Sequence, residues 1–214
     1  MGATVGESTL GVRAIELLCS RLCHDLVSPV SAIGNGVELL EEGGADMSDE
    51  AMQLIAQSAD IAARRLKLFR MAFGAAGGQD DIRLDDVRAL TEGWFQGGKV
   101  AVRWDLRSLQ GAPRGLPKLL LVAALLCDES LPLGGVLRVA AEDGAVLMLA
   151  EGARCALRPE ARAVLSGDAG VDDLTPRGAI AYVALRLAAH YGVSLAITEP
   201  QPDRVAVRLA GRSV

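Results

Sequence analysis

Residues 22–33 read Leu22-Cys23-His24-Asp25-Leu26-Val27-Ser28-Pro29-Val30-Ser31-Ala32-Ile33. Leu22, Leu26 and Ile33 recur at the spacing that places side chains on one side of an α-helix. His24 is two residues from both Leu22 and Leu26, and two residues turn a helix through about 200°. The imidazole therefore faces away from the apolar side. Ser20, Arg21, Ser28, Ser31, Asn35 and Glu38 share that outer face, so His24 lies in a continuous polar band. Pro29 falls inside the same helix and cannot donate to the carbonyl of Asp25, a defect that costs about 3 kcal/mol in a helix interior. A distorted turn just after an exposed imidazole is suited to shape a docking surface for another protein.

The apolar period extends outward through Ile15, Leu18, Val37 and Leu40, which gives a first helix from about Ser8 to Glu42, ended by Gly43-Gly44. Ser48, Asp49 and Glu50 open a second helix, with acids where the helix dipole favours them. It carries Ala51, Leu54, Ile61, Leu68 and Met71 along one side and ends in glycines from Gly74. Two long amphipathic helices joined by a short link form an antiparallel hairpin. A lone hairpin leaves its apolar seam open to water. Pairing with a second copy closes it, which predicts a homodimer built on a twofold four-helix bundle.

The chain changes character at Gly74–Gly78, followed by Asp80 and Asp81. This divides it into a helical domain over 1–77 and a second domain over 78–214. In the second, helices are predicted over Leu84–Phe95, Pro117–Glu129 and Ala179–Tyr191, and a strand over Lys99–Leu106. Val136–Ala141 and Ala145–Ala150 read as a hairpin turned by Asp143-Gly144. Val193–Thr198 and Arg204–Leu209 read as another. The fold class is α plus α/β, with helices on one face of a mixed sheet.

Composition narrows the function. Half of the 214 residues are hydrophobic, 23% are charged and the formal net charge is −5, so the overall field favours neither nucleic acid nor an anionic membrane. Aromatics are 3%, too few for a base-stacking platform. No apolar run is long and charge-free enough to span a bilayer, and the opening stretch lacks a secretory signal pattern. Cys19, Cys23, Cys127 and Cys155 do not form a disulfide framework, so the expectation is a cytoplasmic protein with reduced thiols. Cys19, Cys23 and His24 offer zinc-type ligands. His24 faces elsewhere and no fourth ligand is assignable, so packing is the better account of both cysteines and no metal is expected. His190 ends an apolar helix and reads as a capping or packing residue.

The segment Leu22–Ile33 resembles the phosphoacceptor box of sensor histidine kinases: His, an acid, Leu, a variable basic residue, Thr or Ser or Asn, Pro, Leu, and later Ile. Here these are His24, Asp25, Leu26, Val27, Ser28, Pro29, Val30 and Ile33, with Val27 in place of the basic residue. Leu119–Leu126, Pro132-Leu-Gly-Gly135 and Gly178–Gly192 are similar in order to parts of the kinases' ATP-binding sandwich. The nucleotide-binding parts are missing. The metal-coordinating Asn is absent from Leu125–Ser130. Glu151-Gly-Ala-Arg-Cys155 replaces the adenine-holding Asp-x-Gly-x-Gly, and the glycine-rich lid is reduced to Arg177-Gly178.

A kinase-like phosphoacceptor hairpin followed by a degenerate ATPase-like domain resembles the ChpT family of alphaproteobacterial histidine phosphotransferases. The resemblance covers nearly the whole chain. It implies a homodimer in which His24 accepts a phosphoryl group from the receiver domain of a hybrid histidine kinase and passes it to response regulators of the cell cycle. It also implies that the receiver brings the acceptor Asp and the Mg²⁺, and that this chain itself holds no cofactor.

The residue chemistry is compatible with that reading. A neutral imidazole is a nucleophile at physiological pH, and phosphoryl transfer mainly requires in-line positioning and charge stabilisation. Asp25 is placed to orient the ring. Ser28, one turn on, is placed to bond the phosphoryl group or the incoming acid. Arg21, Val27, Ser31 and Asn35 flank His24 as partner-contacting residues. Arg154, Arg158 and Arg162 recur at four-residue spacing around Pro159, where a helix is expected to start; they read either as a contact for an acidic receiver surface, Arg154 and Arg158 above all, or as a solvated face. Two other readings remain: a non-catalytic dimeric receiver-binding adaptor, and an active kinase with an eroded ATP site.

Overall fold

The computed structural model describes residues 11–42, 47–75, 82–109 and 112–211. The expected start of the first helix at Ser8, its Gly43-Gly44 end and the Asp80-Asp81 part of the boundary lie outside them. The elements run α1 (Val12–Glu42), α2 (Ser48–Phe73), α3 (Leu84–Phe95), β1 (Val100–Asp105), α4 (Leu116–Glu129), β2 (Gly135–Glu142), β3 (Ala145–Glu151), α5 (Pro159–Ser166), α6 (Ala179–Tyr191), β4 (Val193–Thr198) and β5 (Arg204–Gly211). The fold is an N-terminal helical hairpin followed by an α/β layer with a mixed five-stranded sheet.

The sheet order is β1-β2-β3-β5-β4. β1 and β2 are parallel, and every other pairing is antiparallel. The parallel pair requires a crossover, and α4 supplies it. α4 is apolar all round because it is covered all round: eleven of its fourteen residues are buried. It packs between the sheet, α3 and α6. Asp143 and Gly144 both have positive φ, 49° and 72°, as a two-residue hairpin turn demands. The Gly134-Gly135 turn before β2 has no room for side chains. A Cβ on Gly135 would stand 2.2 Å from the Glu151 carbonyl oxygen.

The hairpin is not detached from this layer. Ala14, Leu17, Leu68, Phe69 and Ala72 join the same buried cluster as α4 and the sheet. Lys118, buried in α4, donates from Nζ to the Gly74 carbonyl at 2.8 Å. A cation there both satisfies a helix-end carbonyl and complements the α2 dipole. Burial alone pulls the Lys118 ammonium below its ordinary value.

Two expectations need correction. The apolar stripe of α1 is not the line buried against α2. Ile15 and Val37 are exposed, whereas Ala14, Leu17, Pro29 and Gly36 are buried. Small residues allow the close approach: a Cβ on Gly36 would meet Ile55 Cγ1 at 2.6 Å. The stripe is thus covered along one edge, where Leu18, Leu22 and Leu26 pack on the core, and open along the other. Nor does Cys19 or Cys23 pack inside the chain, because both are exposed beside that open edge.

Candidate phosphoacceptor site

His24 sits in the middle of α1 with its side chain 81% exposed. Its Nδ1 lies 3.4 Å from Asp25 Oδ1. That contact favours the tautomer with the proton on Nδ1 and leaves Nε2 as the free nucleophile. Asp25 is itself held from the other side. Arg21 Nη1 stands 3.3 Å from Asp25 Oδ1, while Arg21 Nη2 stands 3.1 Å from Glu129 Oε1. Arg21 is therefore a bridge between the His24 turn and the C-terminal end of α4.

The Pro29 defect is answered by a long-range contact. The Asp25 carbonyl, which Pro29 cannot serve, accepts a hydrogen bond from Arg65 Nη1 on α2. The Arg65 guanidinium lies over the Trp94 ring, 5.5 Å from its centroid. Trp94 Nε1 in turn donates to Asp128 Oδ2 at 3.0 Å. The helix runs unbroken through Pro29.

Asp128 and Glu129 are the acids of this network. Burial raises both above the ordinary carboxylate range. For Asp128 the Trp94 hydrogen bond acts against burial. For Glu129 the outcome is about 7: burial pushes it up, Arg21 and Arg158 pull it down, and Asp25 and Asp128 push it up again. A cavity of about 410 Å³ opens beside Glu129, lined among others by Ser20, Arg21, His24, Arg158 and Arg177. A larger cavity of about 750 Å³ lies among Arg64, Lys67, Gly97 and Gly98, and His24 does not line it.

Ser28, Val27, Ser31 and Asn35 are all exposed along α1 on the His24 side. The three arginines around Pro159 do not form one face. Arg154 precedes the helix in a left-handed conformation, with its amide bonded to Asp203 Oδ1. Arg162 pairs with Glu199 at 2.7 Å. Arg158, the residue before α5, lines the His24 cavity. α5 begins at Pro159, where the sequence predicts a helix start. His190 is exposed in the last turn of α6, edge-on to Tyr191. Among the described residues no group of three or more His, Cys, Asp or Glu side chains is placed to hold a metal, and no helix is long and apolar enough to cross a membrane.

Sequence reasoning missed Glu129, Arg65 and Arg177. The signal for Glu129 was faint but present: Asp128-Glu129 closes an otherwise apolar, fully covered helix, where acids need partners.

Residues 84–203 match the family model described as the histidine phosphotransferase C-terminal domain. The protein phosphotransferase ChpT of Brucella abortus (strain 2308) is 37% identical over 194 residues, 88% of this chain and 91% of that protein. The chain belongs to the histidine phosphotransferase family. A solved structure of a bacterial phosphotransferase is 32% identical and superposes with a TM-score of 0.80, over 94% of this chain and 98% of the other. Within this phosphotransferase, the acid of Glu151-Gly-Ala-Arg-Cys155 is taken up inside the sheet: Arg138 and Arg204 hold Glu151 at 2.8 and 2.9 Å.

Proposed function

We propose that this phosphotransferase carries its phosphoryl group on His24, accepting it from the receiver domain of a hybrid histidine kinase and passing it to the receiver Asp of cytoplasmic response regulators. The observation that carries the reading is the exposed imidazole whose Nδ1 is engaged by Asp25 while Nε2 is free. The Nε2 lone pair forms the N–P bond as the O–P bond of the receiver's acyl phosphate breaks. The bonding electron pair leaves with the receiver carboxylate. The ring keeps its Nδ1 proton and becomes cationic, and the Asp25 carboxylate offsets that charge. Return transfer to a second receiver reverses each change. Mg²⁺ brought by the receiver would offset the phosphoryl charge, and among the described residues no cluster of His, Cys, Asp or Glu is placed to hold a metal. Ser28 lies one turn from His24 for the phosphoryl oxygens or the incoming carboxylate, with Val27, Ser31 and Asn35 as the contact strip and Arg154 on the second domain as a further contact.

We also propose the domain division at 77/78 and a homodimer. Val12, Ile15, Val30 and Val37 on α1, with Met52 and Leu66 on α2, leave an apolar face open on the hairpin. Their helical spacing makes two seams that a second hairpin closes as a four-helix bundle. Cell-cycle regulators are the class of acceptor that the family resemblance favours.

The test is transfer from a labelled receiver domain, freed of ATP, to the wild type and to His24→Ala. Label on the wild type and none on the variant is expected. Binding of the receiver without label on either protein would favour the adaptor reading, and label from ATP alone would favour a kinase.

A further inference from the structure

His24, on the hairpin, shares its cavity with two cations from the α/β layer, Arg158 and Arg177, as well as with Arg21. Three guanidiniums and one carboxyl group, that of Glu129, line it. The two layer cations belong to helix beginnings. Arg158 caps α5, and Arg177 stands just before Gly178, which caps α6. Neither helix start receives a side-chain cap, so the positive ends of two helix dipoles add to the guanidinium charge. Two buried polar atoms of this site also lack partners: Arg21 Nε and Glu129 Oε2. The Glu129 side chain is only 8% exposed. Orphaned buried atoms of opposite kind at one cavity mark a site that something outside the chain completes. At about 410 Å³, the space exceeds ten waters' share of liquid volume, about 30 Å³ each. It accommodates a phosphoryl group together with a docking side chain.

We propose that Arg21, Arg158 and Arg177, with Glu129 beneath them, form a composite anion cradle that holds the phosphoryl group while it resides on His24. The inference rests on the reading of His24 as phosphoacceptor. It gives the degenerate second domain a direct task, which is to supply cations to the phosphohistidine rather than to bind a nucleotide. Arg21 is pre-positioned by Asp25 and Glu129. Arg158 has no ion-pair partner within 4 Å among the described residues, and Arg177 is loosely paired with Glu160 at 3.6 Å, so both are available. Glu129 is the one anionic group in the lining. Burial raises its pKa to about 7, so it is about half protonated near neutrality, and the arriving phosphoryl charge shifts it further toward the protonated form. Its Oε2 then carries a proton and becomes a hydrogen-bond donor toward the anion.

The cradle is tested without any receiver, so that docking plays no part. The full chain is phosphorylated with phosphoramidate, and the ³¹P resonance of the phosphohistidine is followed against pH. His190→Ala serves as the background, because the chain has two histidines. In the cradle the phosphoryl group loses its last proton about one unit lower in pH than in free phosphohistidine. The Arg158→Ala/Arg177→Ala double variant, altered at exposed positions, moves the titration most of the way back to the free value, Arg21 remaining in place. Arg158→Lys/Arg177→Lys keeps most of the shift. A wild-type titration equal to free phosphohistidine, or a shift that survives undiminished in the double alanine variant, overturns the cradle while leaving His24 as acceptor. Absence of any phosphohistidine signal in His190→Ala, whose one histidine is His24, would instead sink the reading of His24, and the cradle with it.

Discussion

The hairpin and the α/β layer treat their apolar side chains differently. In the layer, α4 is surrounded and the sheet's inner residues Leu137, Val139, Met148, Val205 and Val207 are buried against it. In the hairpin, one edge of each helix is covered and the other is bare. Nine of the ten exposed large hydrophobic side chains among the described residues lie between Val12 and Leu66, the tenth being Leu133. A soluble chain does not normally concentrate such surface in one place without a use. The difference teaches that the layer covers its own apolar side chains, while the hairpin leaves an apolar edge uncovered.

The contrast can be broken in several places. Leu120→Ala, at a fully buried position in α4, is expected to cost about 2–5 kcal/mol through the cavity it leaves. Urea unfolding measures this, and a cost under about 1 kcal/mol would mean the layer is looser than described. At the junction, Glu129 titrates near 7 in the folded chain against an ordinary 4.5. The unfolded chain then releases its proton first, so wild-type stability is full below 4.5, falls from there to about 7 and is level beyond. Glu129→Gln removes that fall. The variant should gain on the wild type across that interval by up to roughly 3 kcal/mol, as read by unfolding at pH 4, 6 and 8. A gap that does not change with pH would contradict it.

Arg65→Ala leaves the Asp25 carbonyl without its donor and removes the contact over Trp94. A loss of about 1–3 kcal/mol is expected, together with slower transfer to His24. Unchanged stability would mean that the carbonyl finds water instead. The smallest effect on the chain itself belongs to Leu66→Glu, half-exposed on the bare edge, where surface substitutions typically fall within about 0.5 kcal/mol. Its effect on assembly is the reverse, and sedimentation equilibrium should give the mass of one chain. A dimer that survives Leu66→Glu would place the second copy elsewhere.

Much of the fold was legible. The bounds of α3, α6 and β4 follow directly from apolar periodicity and from the glycines and prolines between elements. The Asp143-Gly144 turn is written in its own dipeptide. The sheet order was not legible, because placing β5 between β3 and β4 depends on contacts that local pattern does not encode. The buried line of α1 was misread for a physical reason. Ala14, Pro29 and Gly36 bury well because they are small, and small residues carry little hydrophobic signal. At the site, the motif placed His24, Asp25 and Arg21 on adjacent turns of one helix. Glu129, Arg158 and Arg177 reach the same cavity only through the packing of α4, α5 and α6, so no local spacing could connect them to His24.

Pro29 and Arg65 form a pair whose members can be inherited only with regard to each other. While Pro29 is present, Arg65 is the one described donor for the Asp25 carbonyl, and losing it harms the helix. If Pro29 became alanine, residue 29 would donate along the helix axis and Arg65 would be free to change. Drift at one position thus opens or closes routes at the other. In a double-mutant cycle the pair should be strongly non-additive, although the two residues stand on different helices.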